Sequence, residues 1–234
     1  NNLGLIFEKL KKYPKAISCY EKAIEINPHY ESAYFNLGNT QKELKKFHKA
    51  VMSFEKAIEI NPNNAAAHNN LGTVFNKLGD YHKAISCYEK AIKINPNHIN
   101  AYFNLGISFE DLGEFDKAIS AFEKAIEINP NNLAAHNNLG IALYEMGQYK
   151  KAIKEFRLSN LKKNKNYFLN CLYKLDDKNT FFKELDEVIN QGEINAVIGS
   201  LSSCSEIRYG IKRQNPFCKD PLKYVLKTNL TEQC

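Results

Sequence analysis

Apolar residues recur along this chain at helical spacing, in pairs of runs separated by short polar turns. Between residues 65 and 98, His68, Leu71, Gly72, Phe75 and Leu78 follow one another at three- and four-residue steps, then Tyr81, Ala84, Ile85, Tyr88, Ala91 and Ile92 do the same. Each run predicts an amphipathic helix with one apolar stripe. The Gly79-Asp80 turn between them has counterparts at Gly113-Glu114 and Gly147-Gln148. Glycine there can adopt the positive φ that ends a helix. Pro14 falls just inside a second helix, where its missing N–H costs nothing. The second helices are predicted to stop at Asn-Pro, because proline cannot continue a helix and restricts the residue before it.

The pattern repeats. Asn-Leu-Gly begins at Asn2, Asn36, Asn70, Asn104 and Asn138, a constant step of 34, and Ile-Asn-Pro ends at Pro28, Pro62, Pro96 and Pro130 at the same step. Segments 31–64 and 99–132 agree at 21 of 34 positions. Such a period marks one supersecondary unit stacked on copies of itself. Mid-helix glycines (Gly38, Gly72, Gly106, Gly140) cost about 1 kcal/mol each against alanine, so they predict close approach of the paired helix. Ala50, Ala84, Ala118 and Ala152, with Ala57, Ala91 and Ala125, form a narrow seam on the second helix. Tyr34, Tyr102, Phe54, Tyr88, Phe122 and Phe156 fill the space around it.

An aromatic residue, Leu-Gly, a second aromatic, Ala, Phe or Tyr, Ala and Pro at fixed offsets over 34 residues resemble the tetratricopeptide repeat (TPR). The resemblance implies an all-α helix-turn-helix solenoid, wound as a right-handed superhelix. It covers residues 1–166 in one truncated and four complete repeats: 1–30, 31–64, 65–98, 99–132 and 133–166. The last repeat decays, with Ser159 in place of the second Ala and Asn164 in place of Pro. Residues 167–204 read as a degenerate helical cap that hides the last apolar face. Tyr167, Phe168, Leu169, Leu172 and Leu175 make one stripe, and Phe181, Phe182, Leu185, Val188 and Ile189 a second, stopped at Gly192. Leu172 stands where the ladder would place Asn. A short helix is predicted over 193–203, and residues 205–234 read as an irregular tail or linker. That tail is similar to the segment joining bacterial TPR arrays to a 2-oxoglutarate/Fe(II) oxygenase-like domain. The chain starts inside a motif at Asn1, which suggests a fragment.

The ladder Asn36, Asn70, Asn104 and Asn138 carries the candidate chemistry. In TPR arrays this position lines the concave face. Helices stacked about 8–10 Å apart and a peptide rising about 3.3 Å per residue bring one Asn to every third residue of an extended ligand. An amide offers two donors and one acceptor, which suits both groups of a peptide unit. The arrangement resembles the asparagine ladder in the TPR arm of O-linked N-acetylglucosamine transferases. One residue earlier, Phe35 and Phe103 alternate with Asn69 and Asn137. Exposed, they would favour a segment with spaced apolar side chains; alternatively the phenylalanines pack between repeats. The Lys and Arg of a clamp for acidic C-termini are missing, since Phe35, Asn69, Asn100 and Asn104 hold those places.

Composition narrows the rest. With 32 Lys and Arg against 26 Asp and Glu, the net charge is +6 and the pI about 8.8. That is mild for nucleic-acid binding, and the basic run Lys150, Lys151, Lys154, Arg157, Lys162, Lys163 and Lys165 has no interleaved aromatics to stack bases. It reads as a solvated face. No apolar run approaches the roughly 20 residues of a membrane span. Six scattered cysteines without a Cys-x-x-Cys pair predict free thiols in a reducing, cytoplasmic setting. His68 and His136 lie two repeats apart, too far to share a metal, and read as packed core histidines. No phosphate-binding, dinucleotide, nucleophile-elbow or zinc-protease motif occurs, and no cofactor or metal is expected. The sequence therefore predicts a non-catalytic scaffold that binds a protein or peptide segment in the concave groove. The alternative is the recognition arm of a larger enzyme, oxygenase-like or, as a weaker option, a glycosyltransferase.

Overall fold

The structure is a computed structural model. It describes residues 1–159, 164–190, 201, 202, 204, 205 and 208–210. Among these it contains twelve helices and no strand: α1 (Asn2–Lys9), α2 (Tyr13–Ile26), α3 (Glu31–Glu43), α4 (Phe47–Ile60), α5 (Ala65–Lys77), α6 (Tyr81–Ile94), α7 (Ile99–Asp111), α8 (Phe115–Ile128), α9 (Leu133–Glu145), α10 (Tyr149–Leu158), α11 (Lys165–Lys174) and α12 (Lys178–Asn190). They form an all-α solenoid of helix-turn-helix units. The chain divides into two compact units, Asn1–Ala135 and His136–Cys234.

In the first unit α1/α2, α3/α4, α5/α6 and α7/α8 pair as hairpins, and each second helix also packs on the first helix that follows it. The glycines explain the tight pairing. A Cβ on Gly38, Gly72 or Gly106 would lie 2.8, 2.7 or 2.5 Å from the ring of Phe54, Tyr88 or Phe122 across the hairpin. Those rings and the alanine seam (Ala50, Ala57, Ala84, Ala91, Ala118, Ala125) are fully buried. Between units, Leu37 closes on Ala16 and Tyr20, Leu71 and Val74 on Ala50 and Phe54, and Leu105 on Ala84 and Tyr88. Each of the first three repeats thus buries its apolar face against the next.

The turns follow two rules. After the first helix, Gly79 and Gly113 take φ of +80° and +73°; at the same place in the first two repeats, Lys11 and Lys45 take +55° and +57°. The positive φ belongs to the turn, and lysine is forced into it where glycine is absent. After the second helix, Asn27, Asn61, Asn95 and Asn129 leave the helix, and each side-chain oxygen accepts the N–H two residues on. This Asx-turn carries the chain through the proline. Asn64 and His98 then cap α5 and α7.

In the second unit Gly140 meets Phe156 as its counterparts do, with a Cβ-to-ring distance of 2.7 Å. Phe168, Leu169 and Leu172 of α11 and Phe181, Phe182, Leu185 and Val188 of α12 are buried, so both stripes of the cap region face inward. Ser205, Arg208 and Tyr209 are helical where an irregular tail was expected. The Arg208 guanidinium lies over the Tyr173 ring at 4.5 Å and donates to the Tyr173 carbonyl at 2.7 Å, anchoring this stretch on the end of α11. The body of the helix expected over 193–203 and the tail from 211 onward lie outside the described residues.

Candidate functional site

The first helices α3, α5 and α7 lie side by side, and Asn36, Asn70 and Asn104 occupy equivalent places on them, each half-buried. Their amides are already engaged. Asn104 Nδ2 donates to Asn69 Oδ1 at 3.0 Å and reaches Thr73 Oγ1 at 3.5 Å. Asn69 Nδ2 donates to Asn70 Oδ1 at 3.2 Å, and Asn70 Nδ2 donates to Asn39 Oδ1 at 2.8 Å. One chain of amides therefore crosses three repeats. Asn36 Nδ2 donates in the same way to Asn1 Oδ1, 3.0 Å away. In the second unit Asn137 Nδ2 donates to Asn138 Oδ1 at 3.1 Å, repeating the Asn69–Asn70 pair.

Each of these Nδ2 groups has two hydrogens; Asn36, Asn69, Asn70 and Asn137 use one in the bond described, and Asn104 directs its two toward Asn69 and Thr73. The network holds these amide planes in place.

The residues one place earlier behave differently from an open alternating surface. Asn69 is only 7% exposed and serves as the link between Asn104 and Asn70. Phe35 and Phe103 are half-buried. Phe35 meets Phe54 edge-on at 5.9 Å and packs against the cluster of Ala50, Leu71 and Val74, between repeats. Phe103 lies 5.9 Å from Phe122. Apolar neighbours attract these rings more strongly than water does, so only their outer edges remain accessible. Sequence reasoning missed Asn39, Thr73 and Asn76. Asn39 and Thr73 accept the ladder's bonds, and Asn76 donates to Ser108 Oγ at 3.0 Å and Asp111 Oδ2 at 3.2 Å. Asn39 and Thr73 stand three residues after a ladder Asn, one turn along the same helix, and that spacing was the available signal.

The remaining candidates fall into place as structural residues. His68 is buried and its Nε2 donates to the Pro62 carbonyl at 3.0 Å. Buried His136 brings Nδ1 to 2.7 Å from Glu155 Oε2. Cys19, Cys87, Cys171 and Cys204 are free thiols, while Cys218 and Cys234 lie outside the described residues. Burial pushes the Cys87 thiol up to about 11 and that of Cys171 up to about 12. Lys150, Lys151, Lys154 and Arg157 are exposed on α10, with Lys162 and Lys163 outside the described residues. The described residues hold no group of three or more His, Cys, Asp or Glu side chains that could bind a metal. No described helix is long and apolar enough to cross a membrane.

Models of the tetratricopeptide repeat match residues 1–30, 32–64, 63–131 and 109–167, together well over half of the sequence. The chain belongs to the tetratricopeptide repeat family. A search of curated proteins finds no match. Among solved structures, MamA is similar at 26% identity over 77% of this chain and 92% of its own, with a TM-score of 0.63. YrrB, described as a TPR protein with an unusual peptide-binding site, is 25% identical over 72% of this chain and 88% of its own, with a TM-score of 0.61. PilF of Pseudomonas aeruginosa shares the fold at 19% identity and a TM-score of 0.73, over 86% of this chain and 94% of its own. The TPR solenoid is thus a protein-interaction scaffold in architecture as well as in sequence.

Proposed function

We propose that this TPR protein is a non-catalytic scaffold that holds an extended segment of a partner protein along the wall of its first helices. Asn36, Asn70 and Asn104 would grip the peptide backbone, and Asn138 would do the same within the second unit. Phe35 and Phe103 would offer ring edges to spaced apolar side chains, with Asn69 and Asn137 holding the ladder amides in orientation. The observation that carries this reading is the amide chain Asn104–Asn69–Asn70–Asn39, which orients hydrogen-bonding groups at repeat spacing on one wall. The peptide-binding site of YrrB supports it by likeness. A net hydrogen bond contributes about 0.5–1.5 kcal/mol, so useful affinity needs several repeats at once.

The test is a peptide selected from a random library against the whole chain, measured by calorimetry. The Asn36→Ala, Asn70→Ala double variant is expected to weaken it at least about tenfold, two lost bonds at the middle of that range. N-methylation of every third backbone nitrogen should weaken it comparably. Affinity unchanged by both alterations would overturn the reading.

A further inference from the structure

A cavity of about 430 Å³ opens between α4 and α6, with α5 as its floor; Glu55, Ile58, His68, Phe75, Cys87 and Lys90 line it, and none of the ladder residues does. On its floor, His68 is the side chain that differs from both neighbouring repeats. Position 68 is tyrosine in the repeats before and after, as Tyr34 and Tyr102. Lys56 and Lys124 hold the same place on the second helices of those repeats. Lys90 is the corresponding lysine of the third repeat, one 34-residue step from each, and it borders the cavity. No phenol reaches it from position 68. The imidazole is shorter than a phenol and is tied to the Pro62 carbonyl through Nε2. The lining position on the second helix is small in all three repeats (Ser53, Cys87 and Ala121), while Phe75 and Ser86 are Gln41 and Met52 in the repeat before and Glu59 is Lys93 in the repeat after. At the other histidine a carboxylate takes the corresponding place: Glu155, two repeats after Cys87, sits on His136.

The charges around the cavity are unequal in availability. Glu59 is paired with Lys56 at 2.6 Å and Lys83 with Asp80 at 2.8 Å. Glu55 and Lys90 have no ion-pair partner among the described residues, and both line the cavity together with Cys87 of α6. Since Nε2 donates to a carbonyl, His68 in its neutral form keeps Nδ1 as an acceptor.

We propose that this cavity is a second docking site, which takes the tyrosine side chain of a partner protein segment carrying a lysine or arginine beside that tyrosine. The ring takes the space beside His68 that a tyrosine at this position, as in Tyr34 and Tyr102, would extend into. The hydroxyl lies by Lys90, and the adjacent cation meets Glu55. Aromatic side chains that pair an apolar body with one polar tip are the usual anchors of such contacts. The site is separate from the asparagine wall and does not depend on it.

Tyramine is the probe, because it joins a phenol to a nearby ammonium. Titrated into the whole chain and followed by NMR, it is expected to shift the His68 ring and Cys87 signals saturably, with a dissociation constant on the order of millimolar for so small a ligand. 4-Hydroxyphenylacetate, which reverses the charge, is expected to bind about threefold more weakly. The His68→Tyr variant fills the cavity from within; it should melt at or above the wild-type temperature and lose tyramine binding. Asn36→Ala, Asn70→Ala should keep it, which separates this site from the peptide wall. No saturable shift in the wild type, equal binding by His68→Tyr, or tighter binding of the anion would each overturn the proposal.

Discussion

Asn104 donates its side-chain amide to Asn69 across the boundary between two repeats, at 3.0 Å, and Asn69 is buried while Asn104 is not. The ladder residues are therefore unequal in what they do for stability. Asn104→Ala leaves the Asn69 oxygen without its partner in a place water barely reaches, at an expected cost of about 1–3 kcal/mol. Asn36→Ala removes a bond between two half-buried residues that water can replace, and should cost less than about 1 kcal/mol. Urea denaturation of the two single variants checks the order, and a larger loss for Asn36→Ala would count against the buried link.

Lys45 takes the same left-handed turn that glycine takes in later repeats. A side chain in that conformation costs roughly 1–2 kcal/mol. Lys45→Gly is accordingly expected to stabilise the protein, by up to about 1 kcal/mol once the glycine's extra freedom in the unfolded chain is subtracted. Gly79→Lys should do the reverse, and thermal denaturation of both gives the sign.

Gly106 lies under the Phe122 ring, where a Cβ would be 2.5 Å from the nearest ring atom. Alanine gains about 1 kcal/mol of helix propensity, yet the overpacking it forces costs about 1–3 kcal/mol. Gly106→Ala should therefore be neutral at best and typically destabilising by about 1 kcal/mol, although the same substitution stabilises an exposed helix. A clear rise in melting temperature would show that the hairpin has room to spread.

The Cys87 thiol is pushed up to about 11 by burial. A raised value in the folded state means that the neutral thiol is favoured by folding. Its contribution is complete below the unfolded value of about 8.5 and is lost as pH rises from there through about 11. Wild type should lose more stability than Cys87→Ala between pH 8.5 and 11, a substitution that places at 87 the residue found at Ala121. Parallel pH profiles for the two proteins would contradict it. By the same argument iodoacetamide at neutral pH should alkylate half-exposed Cys19 well before Cys87.

The sequence by itself determined the repeat and its hairpins. A 34-residue period with glycine, alanine and aromatics in register states which residues must touch, because only a glycine admits Phe54 or Phe122 so closely and only an alanine seam admits the neighbouring helix. The helix ends were equally legible, since Asn-Pro and the glycine turn act through local backbone chemistry. What a polar side chain bonds to is a different matter, decided by atoms 31 or 35 residues away. The ladder amides look free along the chain, but stacking brings Asn39, Asn69 and Thr73 within reach and their bonds are made there. Phe35 could be written as a groove residue or a packing residue until the next repeat supplied Leu71 and Val74 to bury it. His68 reads simply as a core histidine; only the packed neighbours show that it borders a cavity shared with Glu55 and Lys90. Local rules set the elements, and contacts between copies set the chemistry of their surfaces.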